Sequence, residues 1–241
     1  MKIDEAFDNT TSTLAICIEH VTKEYQSHGV IVKALNDIDF SMIAGTKLCL
    51  VGRSGSGKTT LSRIIYGQER PSSGSALLFG KDPAYSYAKN RKQHCRTIQY
   101  VQQNAYLSFD PSYTILNSLS CPLRVYRSEL SKRQRVDAIH QMLCDYELSE
   151  LIEMLNRRPS ELSGGQLQKF ALMRAVLVQP SMLIADEPTA MLDIISTKEV
   201  AKIINRVPKA TTVLCISHSK TFSDAFAAPI VEISNGRITY K

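Results

Sequence analysis

Gly52-Arg53-Ser54-Gly55-Ser56-Gly57-Lys58-Thr59 is the stretch on which the reading of this chain turns. It fits the pattern G-x-x-x-x-G-K-[ST]. A short apolar run, residues 47–51, precedes it, and a helical stretch follows from about Thr59, stopping near Gly67 and Pro71. Strand, glycine-rich turn and helix, in that order, are what phosphate binding at a helix N-terminus needs. The glycines let the backbone wrap closely around an anion with successive amides pointing inward, and the helix adds its positive end. Gly52, Ser54, Gly55, Ser56, Gly57 and Thr60 are the expected cradle. Lys58 can reach the β- and γ-phosphates, and the Thr59 hydroxyl can ligate Mg²⁺. The loop alone says "nucleotide", and leaves open which one and for what purpose.

Outward from the loop, strand-like runs alternate with helical ones, the pattern of an α/β domain. Residues 14–19, 37–43, 75–79 and 97–101 read as strands. In the second of these Ile38, Phe40 and Met42 share one face, with Asp37, Asp39 and Ser41 on the other. Helices are expected at 132–147, 148–155, 165–178 and 195–206, and strands at 182–186 and 211–217. The stretch 229–240 reads as two strands around the Asn235-Gly236 turn. Roughly 104–161 reads as a helical insertion in a sheet-based domain.

Two further motifs carry chemistry. Met182-Leu183-Ile184-Ala185-Asp186-Glu187 is an apolar strand ending in two acids. Asp186 would hold Mg²⁺ beside the loop, and Glu187 would orient and deprotonate an attacking water. Leu162-Ser163-Gly164-Gly165-Gln166 opens a helix with a hydroxyl and glycine amides, a second anion site at a helix N-terminus. A chain that cannot fold both anion sites onto one phosphate could use them in a head-to-tail pair, each copy completing the other's site.

Together these motifs resemble the ATP-binding subunit of ABC transporters, over nearly the whole chain from about Ile18 to Lys241. The resemblance implies an α/β P-loop NTPase: a RecA-like core with an antiparallel β subdomain, and an inserted helical subdomain. It implies a flexible segment 1–13, a core of 14–103 and 166–241, and a helical part 104–165 with the signature at its end. Two chains would close on ATP and Mg²⁺, with Ser163, Gly165 and Gln166 meeting the nucleotide held by the opposite copy. Residue by residue, Tyr25 matches the aromatic that stacks on adenine. Gln103 matches the glutamine that touches Mg²⁺ or the attacking water and senses the membrane subunit, with Gln102 the alternative one position earlier. His218, after the apolar run 213–216, matches the histidine that contacts the γ-phosphate, and Asp193 the loop that crosses the dimer interface. Met191 stands where a small residue is usual. His20, His28, His94 and His140 have no such context.

The stretch Tyr106-Leu107-Ser108-Phe109-Asp110-Pro111 looks like the ATPases of dipeptide, oligopeptide and nickel importers, and residues 52–55 and 158–162 resemble the nickel type in particular. Those ATPases usually continue well beyond the Asn235-Gly236 turn, so a short chain pairing with a longer relative would fit. The implied function is an ATP-hydrolysing subunit that powers an importer of nickel, a metal chelate or a di- or oligopeptide. Its partners would be integral membrane permease subunits, a second ATP-binding subunit (a copy or a related chain) and, indirectly, an extracytoplasmic binding protein. Its place would be the cytoplasmic face of the cell membrane, as a peripheral protein.

Composition agrees and excludes alternatives. Over 241 residues, 44% are hydrophobic and 22% charged, which rules out a disordered tail, a collagen-like fibre and a disulfide miniprotein. No run of about 18 apolar residues exists to span a membrane, and the acidic N-terminus is not a secretory signal. The six cysteines stand apart without metal spacing and read as reduced cytosolic thiols. A net charge of +6 suits an anionic ligand, and it keeps open a soluble ABC ATPase acting on nucleic acid, although no nucleic acid is expected. A metabolic P-loop kinase would leave the Ser-Gly-Gly-Gln signature unexplained.

Overall fold

Nine strands and eight α-helices make up residues 13–27 and 29–240, the part that the computed structural model describes. Residues 1–12 of the expected N-terminal segment, and Lys241, lie outside the described residues. A three-stranded antiparallel sheet has β1 (Leu14–Ser27) between β2 (Val30–Ile43) and β4 (Ser73–Leu78). The alternation read in β2 holds, with Ile38, Phe40 and Met42 buried and Asp37, Asp39 and Ser41 exposed.

The larger sheet contains β3 (Lys47–Val51), β5 (Ile98–Val101), β6 (Met182–Asp186), β7 (Thr212–Ser217), β8 (Ile230–Ser234) and β9 (Arg237–Tyr240). Its order is β5-β6-β7-β3-β8-β9. All neighbours are parallel except β9, which returns antiparallel through the Asn235-Gly236 turn. A parallel sheet is covered on both faces, so its strands read as continuous apolar runs. The two-residue repeat then divides their side chains between two cores. Leu50, Ile184, Leu214 and Ile216 pack with the antiparallel sheet and α1 (Lys58–Tyr66). Cys49, Leu183, Ala185, Val213 and Cys215 pack with the helices on the other face.

That second face carries α6 (Gly164–Val176), α7 (Ile194–Asn205) and α8 (Lys220–Phe226), together with α4 (Ile115–Tyr126) and α5 (Lys132–Asp145). Phe170, Leu172 and Met173 make α6 the buried centre of that layer. Among the described residues no helix is long and apolar enough to cross a membrane.

Several expected elements differ in extent. β1 continues eight residues past Glu19 because a bulge interrupts its pattern. Ile18 pairs with Phe40 and Val21 with Ile38, so Glu19 and His20 oppose Asp39 alone. The His20 backbone, at φ 52°, is tied down by its N–H donating to Asp39 Oδ1 at 2.8 Å and by its ring lying 3.0 Å from Asp37. The expected helix at 148–155 is a short 3₁₀ stretch, Ser149–Met154, too brief for an α-helix to gain much from its ladder. Outside the expected helical insertion, three helices escaped the reading: α2 (Pro83–Lys89), α3 (Arg91–Thr97) and α8. α2 and α3 each bury a single residue, Pro83 and His94, so no apolar period announces them, and α8 buries Phe222 and Phe226 but is only seven residues long. Asn90 both ends α2 and caps α3.

Candidate nucleotide site

Three strands in register build the site. Val51 is level with Ser217 across β3 and β7, and Asp186 with Ile216 across β6 and β7. Because the strands are parallel, the segments that leave them, Gly52 onward, Glu187 onward and His218 onward, emerge at the same sheet edge. Loops at the carboxyl ends of parallel strands are where α/β proteins bind ligands.

The loop after β3 turns into α1 through Gly57, which takes the N-cap position with a left-handed backbone. Lys58 is buried and folded back on this loop, donating to the main-chain oxygens of Gly52 at 2.7 Å and Arg53 at 2.9 Å. Its ammonium also lies 3.8 Å from Glu187 Oε1. Glu187 sits at φ 48°, anchored by its N–H donating to the Ile216 oxygen at 2.9 Å. Its second carboxylate oxygen meets the His218 ring at Nδ1, 2.8 Å away, and the His218 N–H at 3.3 Å. One carboxylate is thus held between the loop lysine and an imidazole with an exposed outer side.

Asp186 is buried at the end of β6. Its Oδ2 accepts from the Tyr100 hydroxyl at 2.6 Å, while Oδ1 is buried with no partner. Burial pushes this carboxyl above the ordinary aspartate range, opposed by the Tyr100 hydrogen bond. Burial, and next the Asp186 charge, push the Tyr100 phenol far upward. Thr59 and Gln103 are exposed, as is Gln102. Tyr25 lies on β1, where its hydroxyl pairs with the Glu69 carboxylate and with Thr60, in the first turn of α1. That pairing brings the expected adenine aromatic to the start of the loop helix.

The signature residues form a second group. Ser163 caps α6 reciprocally: its Oγ accepts from Gln166 N at 3.3 Å, and Gln166 Oε1 accepts from Ser163 N at 2.9 Å. The Ser163 hydroxyl proton is left free to donate outward. Gly165 abuts Ser196, and Asp193 caps α7 by accepting from Ser196 N at 2.9 Å and Ser196 Oγ at 2.8 Å. These bonds hold the Asp193 carboxyl below its ordinary range. Met191, Ile194 and Ile195 are strongly exposed apolar neighbours of Asp193. Among the described residues, no side-chain hydrogen bond or ion pair joins this group to Lys58, Asp186, Glu187 and His218.

Tyr100, Ser62, Arg174 and Ser196 were not singled out in the sequence, and Tyr106 stood out there only as part of a family-type stretch, with no partner named. Tyr106 donates its hydroxyl to the Leu162 oxygen at 2.9 Å, and Arg174 reaches the Ser108 oxygen from α6 while stacking over Phe109 at 4.4 Å. The segment after Gln103 is therefore bonded to both ends of the signature helix. The Tyr-Leu-Ser-Phe stretch carried a signal of family type, but its partners lie 56 and 66 positions away.

The ABC transporter family model matches residues 35–190. The chain is 37% identical to a di/tripeptide transport ATP-binding protein, DppF of Pseudomonas aeruginosa, over 78% of this chain and 58% of that protein. With the nickel import ATP-binding protein NikE of Escherichia coli it shares 34% identity over 85% of this chain and 76% of the relative. A solved dimer of MJ0796, a bacterial ABC transporter cassette, superposes with a TM-score of 0.81 at 27% identity, covering 92% of this chain and 96% of that one. The matched stretch thus spans less than two thirds of DppF and about three quarters of NikE.

Fold and loop together define a P-loop nucleotide-binding protein with a RecA-like core, an antiparallel subdomain and helical insertions. Within that class the chain belongs to the ABC transporter family, as an ATP-binding subunit similar to those of nickel and peptide importers.

Proposed function

We propose that the chain hydrolyses ATP to drive an importer, with the Glu187 carboxylate as the general base. The observation that carries this reading is the position of Glu187 between Lys58 and His218, beside the buried Asp186. Glu187 takes a proton from a water whose oxygen bonds to the γ-phosphorus, as the bond from that phosphorus to the bridging oxygen of ADP breaks. His218 holds the base in orientation through the 2.8 Å contact and faces the γ-phosphate. Lys58, now satisfied by loop carbonyls, turns to the phosphates with the amides of residues 52–60, and Tyr25 stacks on the base.

The residues present fit Mg²⁺. Asp186 Oδ1 is an oxygen acceptor buried without a partner, and a hard cation takes oxygen ligands. Thr59, Gln103 and Asp186 would hold the ion, and when bound it neutralises phosphate charge.

Ser163, Gly165 and Gln166 of a second copy or a related chain complete each site, with Asp193 at the crossing. Their place at the start of α6, a different helix from the α1 that carries Lys58, supports this, as does the exposed apolar surface of Met191, Ile194 and Ile195. The MJ0796 cassette has been solved as a dimer bound to ADP and phosphate. The unit of movement is the helical part, residues 104–165, against a core of 14–103 and 166–241. A cleft of about 400 Å³ beside α4, lined by Tyr113, Val125, Tyr126 and Arg174, supports contact with permease subunits. The cargo is nickel, a metal chelate or a di- or oligopeptide, delivered by an extracytoplasmic binding protein. The chain works at the cytoplasmic face of the membrane, as a peripheral protein.

Glu187→Gln tests the chemistry. Loss of a general base lowers turnover by about 10²-fold or more, while ATP binding persists and the ATP-bound pair becomes long-lived. Turnover at the parent rate would show that another group activates the water. Co-purification with an integral membrane protein tests the partnership, and recovery from native membranes only as a free enzyme counts against it.

A further inference from the structure

We propose that Tyr100 is a positioning residue for the metal-binding carboxylate, and that with Ser62 it couples Asp186 to the Thr59 turn of the loop helix. This rests on the Mg²⁺ reading above and adds residues with no role there. With Asp186 ionised, the proton in the 2.6 Å contact belongs to Tyr100, which donates it to Oδ2. The Ser62 hydroxyl lies 2.9 Å from the Tyr100 oxygen and 2.9 Å from the Thr59 main-chain oxygen. Its single proton serves one of the two; when it is donated to the Tyr100 oxygen, the phenol is bonded both to Asp186 and to Ser62, a residue of α1 one turn after Thr59. Thr59 and Asp186 come from different elements, α1 and the end of β6, and this pair of hydroxyls connects them.

The phenol is itself held in place. Tyr66 packs edge-on to the Tyr100 ring at 5.3 Å between centroids, and is in turn flanked by Tyr87 at 5.7 Å and His94 at 5.5 Å. His94 Nε2 bonds the Tyr66 main-chain oxygen at 2.7 Å. The rings leave Tyr100 little freedom to swing, so its hydroxyl fixes the rotation of the Asp186 carboxylate. One oxygen is committed to Tyr100, and the orphaned Oδ1 is left for the ion. Outer partners of metal-binding carboxylates tune affinity in this way, and their removal typically costs 10–100-fold.

The test uses the full chain and the fluorescence of an N-methylanthraniloyl derivative of ATP, titrated with Mg²⁺ and separately in EDTA. For Tyr100→Phe, which keeps the ring packing, metal-free binding stays at the parent value, while the melting midpoint falls because the buried Asp186 carboxylate loses a hydrogen bond. The Mg²⁺ concentration for half-maximal enhancement of binding rises about tenfold. Ser62→Ala shifts it in the same direction by less. Asp186→Asn is the control for the metal site itself. If Asp186→Asn moves the Mg²⁺ midpoint and Tyr100→Phe does not, the role of Tyr100 is refuted while the metal site stands. If neither moves it, the metal reading fails and the proposal with it. If Tyr100→Phe weakens metal-free binding as much as metal-dependent binding, the hydroxyl serves packing alone. Should Tyr100→Phe not fold, Ser62→Ala decides: a parent-like Mg²⁺ midpoint overturns the link.

Discussion

Replacing Gly57 by alanine probes the loop where a left-handed backbone and a close approach to another strand coincide. Gly57 stands at φ 106°, ψ 0°, and an added Cβ would lie 2.5 Å from the main-chain oxygen of Ala34 and 2.8 Å from Leu35 Cδ2. The Ala34 oxygen belongs to β2 and cannot rotate away as a side-chain tip could. A backbone at that φ costs a residue with a Cβ about 1–3 kcal/mol, and forced overlap in a packed region about 1–3 kcal/mol more. Restricting the unfolded chain returns about 0.4–1 kcal/mol. The net loss is about 3 kcal/mol, equivalent to a melting midpoint lower by about 6–12 °C in a chain of this size. Gly55 supplies the control inside the same loop: its φ is 76°, but nothing lies within 4 Å of the added Cβ. Gly55→Ala meets only the left-handed penalty of about 1–2 kcal/mol, partly offset by the unfolded-state term. Thermal unfolding followed by circular dichroism, with both variants beside the parent, reads the difference directly. Midpoints for the two variants within about 1 °C of each other would refute the argument, because the close approach to Ala34 would then carry no energy.

Tyr106→Phe removes the hydrogen bond to the Leu162 oxygen, worth about 1 kcal/mol net because water can reach the half-exposed ring and solvate the freed carbonyl. The expected result is a midpoint lower by about 2–4 °C, unchanged nucleotide binding by the isolated chain, and weaker ATP-driven pairing by size-exclusion chromatography in a Glu187→Gln background. Parent-like stability and pairing would show that the bond does not hold the signature. Glu147, in the turn after α5, is paired with Lys202 and Arg206 of the α7 region, first by the Arg206 hydrogen bond, and its carboxyl is lowered from 4.5 to about 2. A depressed folded-state value means stability that is present above pH 4.5 and lost as pH falls towards 2. The melting difference between parent and Glu147→Gln is therefore expected at pH 7, to shrink in high salt and to fade below pH 4.5. A difference that grows on acidification would contradict the pairing.

How much of this was legible in the chain depends on the range of the interaction. The loop, the paired acids and the signature each act through a few adjacent backbone groups, so their chemistry is written in consecutive residues. The Gly67 stop of α1 and the Asn235-Gly236 turn were readable for the same reason, since both depend on a left-handed backbone at one place. Elements that are very short, such as α8, or without a repeating apolar face were not readable. α2 and α3 pack by one residue each, and the far half of β1 follows a bulge that shifts the two-residue pattern.

Residue order alone therefore determined that this chain carries a P-loop for a nucleotide, which acids follow the strand beside it, and that a serine-glycine segment opens another helix. Only tertiary packing decided which residues meet. The parallel register of β3, β6 and β7 brings Lys58, Glu187 and His218 to one edge, and β5 beside β6 delivers the Tyr100 hydroxyl to Asp186 across 86 positions. The physical reason is that an apolar strand does not name its neighbour. Which strand lies beside which is set by how both faces of the sheet are covered, and that is a property of the whole folded chain.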